Sequence, residues 1–202
     1  MKLIVVSPET VDPRECTVLA GLFAAGLERY HIRKPAVPAG VLEDWLQTLP
    51  ADWRPRLVLH TQHPLVDKLQ LGGRHYREGD ALPHPRPPGF ASRSCHDLGA
   101  LRSACGRFDA VFLSPVFPSL SKPGHAPDAR LNPADIAATL AARTTEERIT
   151  EVIALGGITS VTATQARDLG FDGVAVLGAI WQATDPVRAF GEVQDTLFSH
   201  AV

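Results

Sequence analysis

Ser119, Ser121 and Lys122 stand together in the stretch S-L-S-K-P-G-H, just past the apolar run Ala110–Leu113. Two hydroxyls and an ammonium at that spacing can surround an anion. The hydroxyls donate hydrogen bonds and the lysine brings a mobile positive charge. Alone, the segment reads more readily as a surface loop with a lone solvated lysine. Two glycine stretches favour the anion: A-L-G-G-I, with Gly156 and Gly157, and V-L-G-A-I, with Leu177 and Gly178. Each ends an apolar run, and glycine lets backbone N–H groups come close to a phosphate. Further polar groups follow other apolar runs: His31, Arg33 and Lys34 in H-I-R-K-P, and Ser94 and His96 in S-R-S-C-H. His60 and His63, in H-T-Q-H, are of metal-ligand type. They lack a third ligand or carboxylate at a zinc-site spacing, so we read them as hydrogen-bonded histidines and assign no metal ligands.

These groups need strands to carry them. Runs at Leu3–Ser7, Tyr30–Arg33, Arg56–His60, Phe90–Cys95, Ala110–Leu113, Glu151–Leu155 and Gly173–Leu177, most of them apolar, with a weaker and polar one at Arg74–Arg77, predict eight strands. The apolar ones are continuous rather than alternating, as parallel strands covered on both faces are. Helical spacing between most of them predicts connecting helices, among them one from about Pro133 with Asn132 as its N-cap. Between the fourth and fifth runs lie Pro83, Pro85, Pro87 and Pro88, which exclude a helix and leave a loop over Leu82–Gly89. The pattern predicts an α/β fold, a single (β/α)8 TIM barrel over residues 1–202 with its fourth helix replaced by that loop. An open doubly wound sheet is the alternative. It would want a glycine-rich turn after the first strand, where the chain has S-P-E-T. In a barrel, all the groups named above fall at the C-terminal strand ends, where such folds keep their sites.

The net charge of −2 argues against nucleic acid as a partner, and no apolar run reaches the roughly 20 residues of a membrane span. The apolar segment near Met1 is short for a signal peptide and reads as a first strand. Cys16, Cys95 and Cys105 are odd in number and without metal-type spacing, which predicts reduced thiols and a cytoplasmic protein.

Taken in order, H-I-R-K-P, S-R-S-C-H, S-P-V-F-P-S-L-S-K, A-L-G-G-I and G-V-A-V-L-G-A-I resemble the family of thiamine phosphate synthase and the TenI-like thiazole tautomerase. The resemblance implies a thiamine-biosynthetic transferase that joins an aminopyrimidine methyl diphosphate to a thiazole phosphate and releases diphosphate. It places Arg33 and Lys122 in catalytic positions, with His31 where the family has a glutamine, Ser94 as a further diphosphate contact, and Lys34 beside the family's lysine position, which Pro35 occupies. Ser119, Leu120, Ser121, Gly157, Leu177 and Gly178 fall at the thiazole-phosphate contacts. It also implies Mg2+, but Thr61-Gln62 stand where the family has an asparagine–aspartate pair, and Glu78 and Asp80 are out of register with its second aspartate. The tautomerase histidine position holds Pro115. Three functions therefore stand at this level: the synthase, the tautomerase, and a thiazole-phosphate binder without turnover. The expected partners are small phosphorylated substrates, with no nucleic acid and no membrane, and a homo-oligomer is compatible with the chain.

Overall fold

The computed structural model describes residues 1–118 and 131–198. Eight strands close into a barrel in chain order: β1 (Lys2–Val6), β2 (Tyr30–Ile32), β3 (Leu57–Leu59), β4 (Gly73–Tyr76), β5 (Phe90–Cys95), β6 (Ala110–Leu113), β7 (Glu151–Leu155) and β8 (Gly173–Val176). All neighbours are parallel, and β1 meets β8 in the register Lys2–Gly173 to Val5–Val176. This is the TIM barrel that the eight runs predict. Alternation within each strand sorts the side chains into two layers. Leu3 and Val5 face outward under the helices, while Ile4 and Val6 meet Ala110, Phe112, Ile153 and Ala175 inside the barrel.

The helices are α1 (Glu15–Ala24), α2 (Ala39–Thr48), α3 (Pro64–Leu69), α4 (Leu98–Ala104), α5 (Pro133–Ala141), α6 (Ser160–Asp168), α7 (Gly178–Trp181) and α8 (Pro186–Phe198). No helix joins β4 to β5, as the prolines there require. Asn132 caps α5 by accepting from the Asp135 N–H, and Pro133 takes the first helical position. Thr159 and Thr162 form a reciprocal cap at the start of α6. Five strands stop one residue short of the sequence-based ends, before Ser7, Arg33, His60, Arg77 and Leu177. The short α7 was not foreseen. Its four residues are too few to register as a periodic pattern.

Among the described residues no helix is long and apolar enough to cross a membrane. The thiols sort by burial. Cys16 is exposed, while Cys95 and Cys105 are buried. Burial pushes the Cys95 thiol up to about 12 and raises that of Cys105. An aromatic disulfide reagent should therefore titrate Cys16 promptly in the native protein and reach the other two only after unfolding. Rapid reaction at Cys95 would contradict the packing of β5 beneath α4.

Candidate functional site

The C-terminal end of the barrel rests on three histidines. His31 points inward from β2, His75 from β4, and His60 follows β3. The His31 Nδ1 and His60 Nε2 atoms are 3.1 Å apart, and the His60 and His75 rings stack with centroids 3.9 Å apart. Phe112 lies 4.9 Å from both the His31 and the His75 rings, centroid to centroid. The His75 ring is held by two hydroxyls, Ser92 on Nδ1 and Ser94 on Nε2, each at 2.8 Å. Burial, with some repulsion among the rings, holds His31 and His60 well below the usual imidazole range, and burial takes His75 down to about 3. The three rings are neutral at physiological pH.

His60 and His63 are hydrogen-bonded histidines, as expected, but with different partners: the His63 ring meets Tyr76 edge-on and its Nε2 lies 3.1 Å from the His75 carbonyl oxygen. His31 has no exposed surface, so it cannot touch a substrate directly as the resemblance would have it. His60, half-buried, is the ring that faces the mouth.

Arg33 and Lys34 part company at the end of β2. Arg33 is half-buried and pairs with Glu9 across the mouth, and its backbone N–H donates to Ser7 Oγ at 2.8 Å. Lys34 points away from the mouth. Its ammonium is buried against Glu15 Oε2 at 2.7 Å and donates to the carbonyls of Pro8 and Thr10. The Tyr30 hydroxyl donates to the other Glu15 oxygen at 2.6 Å. The expectation that Lys34 serves a diphosphate therefore fails, because all three of its donors are engaged inside the protein. Glu15 was missed by sequence reasoning. It stands three residues before the first apolar position of α1's helical pattern, and no local signal marks it as buried.

Beside β5, the His96 ring lies in the mouth with Nδ1 2.9 Å from the Ser114 carbonyl, and the His96 backbone N–H donates to Glu78. Ser94 is half-buried and reaches the mouth while holding His75. Ser119, Leu120, Ser121 and Lys122 lie outside the described residues.

On the far side, the turn after β7 packs against the segment after β6. The Val116 and Phe117 N–H groups donate to the Leu155 and Gly156 carbonyls. Gly157 has φ +64°, and a Cβ there would lie 2.4 Å from the Pro118 carbonyl oxygen. Only glycine fits that close approach. After β8, Leu177 caps α7 and Gly178 is its first residue. The Trp181 indole N–H donates to the Val6 carbonyl at 2.8 Å, which fixes α7 over the end of β1. A short extra helix after the last strand, next to a glycine turn after the seventh, is the arrangement in which this fold holds phosphate.

The family model described as thiamine monophosphate synthase matches residues 66–180, from α3 to α7. The chain belongs to the thiamine monophosphate synthase family. It is 36% identical over 145 residues to a thiamine-phosphate synthase of Thiobacillus denitrificans, an alignment covering 68% of this chain and 64% of that protein. The chain thus spans less than two thirds of that curated relative. The crystal structure of a thiamine phosphate pyrophosphorylase from Bacteroides thetaiotaomicron superposes with a TM-score of 0.81 at 28% identity, covering 99% of this chain and 100% of that one. A pyrophosphorylase from Pyrococcus furiosus shares the fold, with a TM-score of 0.79 at 20% identity over 97% and 95% of the two chains. The family match takes in Ser94, the stretch Ser119–Lys122, Gly157, Leu177 and Gly178. It excludes His31, Arg33 and Lys34.

Proposed function

We propose that this member of the family is a transferase of the thiamine phosphate synthase type, joining an aminopyrimidine methyl diphosphate to a thiazole phosphate. The observation that carries the reading is the family match over residues 66–180, which holds the whole thiazole-phosphate side of the mouth. In this reading the thiazole phosphate lies between the ends of β7 and β8. N–H groups at the Gly157 turn and at Gly178 donate to it, Ser119 and Ser121 add hydroxyls, and Leu120 and Leu177 flank the ring. The diphosphate lies beside β2 and β5, against Arg33, Ser94 and Lys122. Arg33 exchanges Glu9 for the anion on binding. The bond from the methylene carbon to diphosphate oxygen breaks, and the thiazole nitrogen forms a new bond to that carbon. The cationic side chains stabilise charge growing on the leaving group, and the glycine amides hold the nucleophile in line.

Magnesium, which the family resemblance implies, takes oxygen ligands. Near this mouth Glu9 pairs with Arg33, Glu78 accepts from the His96 N–H, and Asp80 accepts from the Arg77 N–H and guanidinium. The residues below them are imidazoles. Among the described residues nothing fits a magnesium cage, and no step is assigned to that ion. With Cys16, Cys95 and Cys105 all free, we place the reaction in the reducing cytoplasm.

The test is a product assay with both substrates, with magnesium and with chelator. Thiamine phosphate should form, with a rate that falls by less than about tenfold on chelation, because the described residues near the mouth offer no free carboxylate pair to magnesium. Isomerisation of a thiazole carboxylate phosphate in place of coupling would make the chain a tautomerase, and binding without turnover would make it a binder.

Gly178→Val probes the phosphate subsite. Its side chain should block the approach to the α7 amides and cost about 1.5–3 kcal/mol per lost charged hydrogen bond, a tenfold or greater loss of thiazole-phosphate affinity. Equal affinity in the folded variant would move the phosphate elsewhere. Gly157→Ala is a poorer probe, since its Cβ would collide with the Pro118 carbonyl whether or not ligand is present.

A further inference from the structure

We infer that His31, His60 and His75 form a binding site for a borderline divalent transition metal of the zinc type, separate in its chemistry from any magnesium–diphosphate site. Each ring offers one nitrogen, and the three nitrogens lie within 4.8 Å of one another. Zinc bonds of about 2.0–2.1 Å in a tetrahedron set neighbouring nitrogens roughly 3.4 Å apart. The His31 Nδ1 and His60 Nε2 atoms, at 3.1 Å, already stand near that separation. His75 is stacked face to face on His60 with centroids 3.9 Å apart, so it completes the set by rotating its ring out of that stack until its in-plane nitrogen points at the same centre.

Three features support the assignment. The donor set is uniform: three imidazoles and no carboxylate. That combination suits zinc, cobalt, nickel or copper, and it does not suit magnesium. His31 is also costly as a packing residue. It has no exposed surface, and its Nε2 is buried without a hydrogen-bond partner, whereas an apolar side chain would fill the space with no such penalty. A ring kept there at that cost is accounted for if its other nitrogen is needed. Finally, His75 has the outer support that metal-bound histidines carry. Ser92 holds its Nδ1, which orients Nε2 toward the mouth. Ser94 now occupies that Nε2 and would turn aside to leave it to the metal. Three protein nitrogens leave a fourth tetrahedral position for water or an anion, the ligand count of an open zinc site.

Binding of the metal alone tests this. Protein stripped with chelator is titrated with Zn2+ by competition calorimetry, and with Co2+ while visible absorption is recorded. One equivalent should bind, the cobalt form should show the intense bands of a tetrahedral site, and excess Mg2+ should not displace either ion. His60→Ala removes the ligand least needed for packing and should weaken zinc by at least about 100-fold; Ser92→Ala, which acts through His75, should weaken it by about tenfold. His63→Ala and His96→Ala should bind as wild type does. No binding of either ion, or loss with His63→Ala or His96→Ala while folded His60→Ala retains it, would overturn the site. These readouts are independent of turnover, so the site and the transferase reading fail separately.

Discussion

Lys34→Met should lower folding stability by about 3–5 kcal/mol at neutral pH, the usual cost of removing one partner from a buried ion pair. The Lys34 ammonium and the Glu15 carboxylate both have fully buried side chains. Burial already pushes the Glu15 carboxyl up, opposed by Lys34 and by the Tyr30 hydroxyl. With the ammonium gone, that opposition shrinks and the carboxylate must either stay charged without its counter-ion or take up a proton. The variant therefore has a pH signature. Its deficit relative to wild type should narrow as pH falls, because protonation removes the unpaired charge. The double variant Lys34→Met, Glu15→Gln should lose less than Lys34→Met, since Tyr30 can still donate to the amide oxygen. Denaturant unfolding of the three proteins at two pH values measures both effects. A Lys34→Met loss below about 1 kcal/mol, the range of exposed pairs, would mean the pair is not buried in solution. The pair also matters to the mouth. The lysine holds the carbonyls of Pro8 and Thr10, on either side of the Glu9 that faces Arg33.

In chelator, the protein should be acid-labile from about pH 6.5 downward. In the unfolded chain His31 and His75 titrate near the ordinary 6.5, whereas in the folded protein burial depresses both. Above that pH the rings are neutral in both states and contribute no slope. Below it the unfolded chain binds protons that the folded chain refuses, so stability falls as pH falls. Each ring contributes about 1.4 kcal/mol per pH unit, and the two fully buried ones together up to about 3. The decline continues toward about 3, the folded value of His75. His60, which burial also holds well below the ordinary range, adds in the same direction. Urea unfolding measured across this range checks the slope, and His31→Leu should flatten it by up to one proton's worth. A flat wild-type profile down to about pH 5 would show that the rings are hydrated or already protonated in the native state.

Much of the barrel was legible in the sequence because strand burial writes a local signal. L-I-V-V, A-V-F-L and G-V-A-V are each apolar throughout, as strands under helices must be. Proline and asparagine are local signals too, so the missing helix before β5 and the cap of α5 could be read directly. The glycines ending β7 and β8 and the S-L-S-K loop likewise stood out as motifs contiguous in the chain, and the family match falls on that same part.

The other side of the mouth was decided by tertiary structure. His31, His60 and His75 lie on three strands, and nothing local says that their rings meet. Inward alternation in R-H-Y-R would have pointed to His75 and brought it beside His60, while setting His63 apart. Arg33 and Lys34 are adjacent in sequence just past the end of β2, yet one side chain turns to Glu9 and the other to Glu15 of α1, which nothing local in the sequence announces. Lys34 could not be recognised as buried until Glu15 and Tyr30 were seen around it, because the charge is tolerated only by partners distant in the chain. The sequence by itself determined the strands, the loop without a helix and the phosphate-type motifs, all of which depend on neighbours in the chain. Barrel closure alone decided which polar groups face one another, because only closure turns separate strand ends into a single site.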